Sequence, residues 1–142
     1  MRRPIKRKAL TYKYKIVMLV DDNELDNFIN QKIIESSFFA EKIYINTSGS
    51  SALEFLKNLA VNKKLVEALI PDVIFLDINM PLMDGFQFMD EYYKLQKEIK
   101  GKTKIVILTT SMSARDKEMA TKYGAAISFI NKPLNEDSLS KI

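Results

Sequence analysis

Five residues from four well-separated stretches of the chain share a chemical theme. Asp21 and Asp22 follow one apolar run and Asp77 follows another, while Thr109 and Lys132 close two later runs. Carboxylate oxygens gathered in one place select a hard divalent ion, Mg2+ or Mn2+. A hydroxyl and an ammonium beside such an ion suit a phosphoryl group. Positive charge neutralises its oxygens, and the hydroxyl hydrogen-bonds one of them. The sequence has no histidine and no cysteine. That removes the commonest general base, every Ser-His or Cys-His pair, disulfides and thiolate metal sites. The chemistry is left to carboxylates, lysines, hydroxyls and a bound metal.

The elements that must position these groups are legible as patterns. Ile16–Val20, Val73–Leu76 and Ile105–Leu108 are short continuous apolar runs rich in β-branched residues, as expected of strands covered on both faces. Lys42–Asn46 and Ile127–Ile130 are weaker strand candidates. Helical spacing links them. Asn23–Phe38 carries Leu25, Phe28, Ile29 and Ile33; Ser50–Leu59 carries Ala52, Leu53, Phe55, Leu56 and Leu59. Gly85–Ile99 and Ala114–Tyr123 follow, Gly124 is a natural helix stop, and one more helix starts after Asn135. Lys63-Lys64 and 94–104 read as solvated helix ends and loops. Strict alternation of strand and helix predicts an α/β fold: a doubly wound, five-stranded parallel sheet with helices on both faces, in the flavodoxin-like order 2-1-3-4-5.

In that order the first and third strands are neighbours, roughly 4.8 Å apart, so Asp21, Asp22 and Asp77 meet at one sheet edge. Two unit charges about 5 Å apart repel by roughly 3 kcal/mol at an effective dielectric of 20. Such a cluster calls for raised pKa values or a cation. The plain alternative is that one aspartate caps the next helix and another faces water. Lys132-Pro133 alone means only a strand end; beside the acids, Lys132 reads as a site residue.

The chain has 142 residues, which suits one domain, and its net charge of +4 is unevenly spread. Residues 1–15 hold seven basic residues and no acid, whereas the rest holds 15 basic and 18 acidic residues. The body is thus mildly acidic, and a domain-wide nucleic-acid surface is not indicated. No apolar stretch fits a secretory signal or a membrane span, so the expected location is cytoplasmic. Residues 1–14 are read as a basic extension and 15–142 as the domain.

From Lys15 to Pro133 the chain resembles the receiver domain of two-component response regulators. The matching stretches are Ile16-Val17-Met18-Leu19-Val20-Asp21-Asp22-Asn23, Phe75-Leu76-Asp77-Ile78-Asn79-Met80-Pro81-Leu82-Met83-Asp84-Gly85, Ile107-Leu108-Thr109-Thr110-Ser111 and Phe129-Ile130-Asn131-Lys132-Pro133. Each is weak alone, and all four in order are specific. The resemblance implies that Asp77 is the phosphoacceptor. It implies that Asp22 is a direct Mg2+ ligand, that Asp21 acts largely through water, and that the Asn79 carbonyl is another ligand. Thr109 becomes the hydroxyl that moves toward the phosphoryl group, Lys132 its ammonium partner, and Phe129 the switch aromatic. The implied donor is a phosphohistidine on a sensor histidine kinase or histidine phosphotransfer protein. The implied output is an unnamed partner met by the face around 114–123, the fifth strand and the last helix, with the chain a monomer or a phosphorylation-dependent homodimer.

Nine residues follow Pro133, and the expectation is a stand-alone receiver similar to chemotaxis regulators, catalysing only its own phosphorylation and hydrolysis. Three rivals are weaker. A haloacid-dehalogenase-type phosphatase needs an aspartate where Asn79 stands. An FMN carrier needs a Ser/Thr/Gly-rich loop where Asp21-Asp22-Asn23-Glu24 stands. A receiver that only binds partners would not need the complete acid and lysine set.

Overall fold

The computed structural model describes residues 11–95, 97–110, 113–123 and 128–142. Residues 1–10 of the basic extension, Ser111, the helix stop at Gly124 and Ile127 lie outside the described residues.

Strands β1 (Tyr14–Val20), β2 (Ala40–Asn46), β3 (Val73–Leu76), β4 (Lys104–Thr109) and β5 (Ser128–Asn131) form one parallel sheet in the order β2-β1-β3-β4-β5. The helices are α1 (Glu24–Ser36), α2 (Gly49–Leu59), α3 (Lys63–Leu69), α4 (Gly85–Tyr92), α5 (Lys97–Lys100), α6 (Ala114–Ala120) and α7 (Glu136–Ser140). The expected sheet order is borne out. Alternate residues of the three central strands feed two cores. Met18, Val20, Ile74, Leu76, Ile105 and Ile107 pack with α2 through α6. Val17, Leu19, Val73, Phe75, Val106 and Leu108 pack with Ile34 of α1 and Leu139 of α7. Burial on both faces is why these strands read as unbroken apolar runs.

Three helical expectations change. The predicted helix 85–99 stops at Tyr92, and a separate short turn, α5, begins at Lys97. The helix predicted over 114–123 ends at Ala120 and tightens to a 3-10 turn over Thr121–Tyr123. Lys63-Lys64, read as a solvated helix end or loop, instead opens a helix over Lys63–Leu69 that is capped by the Asn62 side chain, with Val66 buried. Its single inward residue is too little periodicity to announce seven helical residues.

Helix α1 carries the largest surprise. Leu25, Phe28 and Ile29, its apolar positions in the sequence, are exposed, whereas Asn27, Asn30 and Ile34 are buried. Both asparagines are hydrogen-bonded to loops at the strand ends. The Asn27 side-chain amide donates to the Asp21 carbonyl at 2.8 Å, and the Asn30 side-chain oxygen accepts from the Leu134 N–H at 3.0 Å. Buried loop backbone needs partners, and amides on the inner face of α1 supply them.

Candidate functional site

The register of the sheet builds the site. Val20 pairs with Leu76, so Asp21 and Asp77 leave β1 and β3 side by side. The Asp77 N–H donates to the Val20 carbonyl at 3.0 Å, tying the two strand ends together. Leu76 pairs with Ile107, which brings the end of β4, Thr109, to the same edge. Thr109 pairs with Asn131, and its carbonyl accepts the Lys132 N–H at 2.8 Å. Thus β1 delivers Asp21 and Asp22, and β3, β4 and β5 each deliver one further member of the expected set.

The side chains converge. Carboxylate oxygens of Asp21, Asp22 and Asp77 lie within 4.8 Å of one another, with Asp21 and Asp77 buried and Asp22 exposed. Oxygen donors at this spacing, without histidine or cysteine, fit a hard divalent cation. The Lys132 ammonium reaches in from the loop after β5. It lies 2.5 Å from Asp21 Oδ2, 3.0 Å from Asp26 Oδ2 and 3.6 Å from Asp77 Oδ2. Asp21 Oδ1 accepts the Asn23 N–H at 2.9 Å, and Asp77 Oδ1 accepts the Asn79 N–H at 3.1 Å. Each buried acid therefore has one oxygen held by backbone and one turned to the pocket.

The electrostatics follow from burial. Desolvation raises the Asp77 pKa to about 6, with the Asp21 charge adding to it, while the Asn79 N–H and Lys132 pull the other way. For Lys132 burial works to lower the pKa, but hydrogen bonds to Asp21 and Asp26 and the charge of Asp77 outweigh it, and the net shift is upward. The ammonium stays charged, and the acids around it remain in excess.

Local sequence explains the loop after β3. Asp84 caps α4 by accepting from the Gln87 N–H, and Gln87 returns the bond to the Asp84 N–H. Gly85 then passes directly beneath the acceptor loop. A Cβ there would lie 2.6 Å from the Ile78 Cα and 2.9 Å from the Asp77 carbonyl. Leu82, at the tip of the loop, is fully exposed at φ 66°, in the left-handed region that non-glycine residues seldom occupy.

Thr109 is fully buried. Phe129 is 42% exposed on β5, at the edge of the sheet, so it is not a core residue of that strand. Sequence reasoning missed Asp26, Asn27 and Asn30. Asn27, Asn30 and Ile34 are spaced by 3 and 4, the inward stripe of a helix, but polar residues in that stripe gave no apolar signal. The peptide bond between Lys132 and Pro133 is cis.

Doubly wound sheets bind ligands at the carboxyl ends of their strands, and here that edge carries three acids and a lysine. The chain belongs to the response regulator receiver domain family, whose model matches residues 17–142. It is 28% identical over 102 residues to the response regulator Rcp1 of Synechocystis sp., covering 72% of this chain and 66% of that one. It is 31% identical over 127 residues to the sensor histidine kinase CheAY of Helicobacter pylori, covering 89% of this chain but 14% of that one. The chain therefore spans about two thirds or less of the length of these two relatives. Among solved structures, a two-component response regulator from Cytophaga hutchinsonii superposes with a TM-score of 0.77 at 28% identity, covering 89% of this chain and 92% of that one. The Mn2+-bound form of Rcp1 superposes at 0.67 with 25% identity, covering 89% and 87%. Among the described residues no helix is long and apolar enough to cross a membrane.

Proposed function

We propose that this domain accepts a phosphoryl group on Asp77 from a phosphohistidine of a sensor histidine kinase or histidine phosphotransfer protein. The observation that carries the reading is Asp77 itself. It is a buried carboxylate with one oxygen fixed by the Asn79 N–H and the other facing the Lys132 ammonium at 3.6 Å, beside two further acids. The relationship to a response regulator and to a sensor histidine kinase supports the choice of donor.

Asp77 Oδ2 attacks phosphorus, the bond from phosphorus to the donor imidazole nitrogen breaks, and the electron pair leaves with the imidazole. Asp21, Asp22, Asp77 and the Asn79 carbonyl would hold a divalent cation, whose positive charge would offset repulsion between the acids and the incoming oxygens. Lys132 pairs with a phosphoryl oxygen, and the Thr109 hydroxyl donates to another. In hydrolysis water attacks phosphorus, the bond from phosphorus to Asp77 Oδ2 breaks, and inorganic phosphate leaves the free carboxylate behind. The domain thus catalyses only its own loading and unloading.

The acyl phosphate adds charge and acceptor oxygens at the end of β3. Movement of Thr109 toward it, with Phe129 turning from its exposed position into the space left behind, shifts the population between two packings of α6, β5 and α7. That face meets the output partner in the cytoplasm.

Incubation with acetyl phosphate and Mg2+ tests the reading. The native chain is expected to incorporate phosphate and Asp77→Asn to incorporate none. Equal labelling of the two proteins would contradict it.

A further inference from the structure

The resting lysine is held by three carboxylates, and one of them, Asp26, has no place in the cation set. Asp26 sits in the first turn of α1, where its N–H is bonded to the Asn23 side chain at 3.0 Å. Its Oδ2 accepts from Lys132 at 3.0 Å, closer than Asp77 at 3.6 Å. Resting on the phosphoacceptor reading of Asp77, we propose that Asp26 is a positioning residue that tethers the Lys132 ammonium on the α1 side of the pocket and competes with the phosphoryl group for it.

Three observations favour a tether that lets go over a permanent ion pair. First, the partners differ in exposure. The Asp21 side chain is buried at 4%, whereas that of Asp26 is 30% exposed. When the ammonium turns to a phosphoryl oxygen, Asp26 regains water and Asp21 cannot, so Asp26 is the partner that is cheap to leave.

Second, Asp26 and Lys132 line a cavity of about 170 Å3 together with Ile29, Asn30, Thr110 and Pro133. That space lies between α1 and the loop after β5, and gives the released carboxylate access to solvent. Third, the charges do not balance. Asp21, Asp26 and Asp77 surround one ammonium, and Asp22 adds a fourth negative charge to the pocket. A divalent cation would leave the group about one negative charge in excess, and an acyl phosphate on Asp77 adds roughly one more. Asp26 is the member whose charge opposes the phosphoryl group without holding the cation. Its presence keeps the resting lysine ordered and makes the phosphorylated state harder to reach.

The test is calorimetric binding of beryllofluoride, a phosphoryl mimic, to the full chain at saturating Mg2+, with Mg2+ alone titrated separately. Asp26→Asn should tighten beryllofluoride by roughly three- to tenfold, the scale of one screened charge at contact range. The same variant should weaken Mg2+, since an acid near the cation is lost. Opposite signs for the two ligands separate this role from a structural one, because a damaged pocket weakens both. Asp26→Glu, which keeps the charge, should stay within about twofold of the native chain, and so should Glu24→Gln, which removes an exposed acid from the same helical turn.

Unchanged or weaker beryllofluoride binding by Asp26→Asn overturns the proposal, as does equal tightening in Asp26→Glu or Glu24→Gln. The underlying phosphoacceptor reading fails separately: there the native chain itself takes up no beryllofluoride, or Asp77→Ala takes it up equally well, and the proposal falls with it.

Discussion

Asp21 and Asp77 lie at the same level of the sheet because the residues before them, Val20 and Leu76, are paired across neighbouring strands. A slip of one residue would turn one of the acids to the opposite face of the sheet. The site is therefore fixed by strand register, and its cost is borne by the buried apolar runs that lead into it.

That cost is measurable through pH. Asp77 titrates near 6 in the folded chain, above the 3.8 usual for an aspartate in water, so its folded pKa is raised. The stability it contributes is complete below about pH 4 and is lost as the pH rises through about 6. At pH 7, with chelator present, ionised Asp77 opposes folding by an amount on the order of 3 kcal/mol. Asp77→Asn should accordingly be more stable than the native chain at pH 7 in chelator, by up to that amount, and the gain should fade toward pH 4. Urea unfolding at the two pH values checks this. Mg2+ should stabilise the native chain and leave the variant nearly unmoved.

Removing the ammonium should have the opposite effect. Lys132→Met leaves Asp21 and Asp77 buried without their cation partner and should destabilise the metal-free chain at pH 7 by roughly 3 kcal/mol. Added Mg2+ should recover part of that loss, and thermal unfolding with and without the ion measures it.

Gly85 and Gly49 offer a matched pair. At Gly85 a Cβ would meet backbone of the acceptor loop, whereas at Gly49 it would meet the flexible Met83 side chain, with Sδ at 2.9 Å. Gly85→Ala should cost roughly 1–3 kcal/mol and weaken Mg2+ binding, since Asp77 must shift. Gly49→Ala should cost less and leave Mg2+ binding unchanged. Equal effects in melting and calorimetry would count against the close approach at Gly85.

Asn30 tests how the lysine loop is held. Its side-chain oxygen is the partner of the buried Leu134 N–H, two residues past Lys132. Asn30→Ala should cost about 1–3 kcal/mol, because the buried Leu134 N–H is left without its acceptor. Loading from acetyl phosphate should slow in the alanine variant, because Lys132 loses its fixed approach.

The sheet order, and the acids at its edge, were legible because strands buried on both faces announce themselves as apolar runs, and each run ends in the residue that matters. Helix α1 was legible as a helix but not in its facing. Phe28 and Ile29 look like core and are exposed, because the inner stripe must carry Asn27 and Asn30 to satisfy loop backbone. Asp26 was hidden for a related reason. Its partner Lys132 is 106 residues away, and nothing local marks a long-range ion pair. The break after Tyr92 was hidden too, since Leu95 and Ile99 continue an apolar pattern that the backbone does not follow as one helix.

Site mapping of the acyl phosphate tests the central claim most directly. The full chain is treated with acetyl phosphate and Mg2+, reduced with borohydride to trap the acyl phosphate, digested and sequenced by mass spectrometry. The account predicts a single reduced residue, at position 77, that disappears when Mg2+ is chelated before treatment. Reduction at another aspartate, or undiminished modification in chelator, would contradict it.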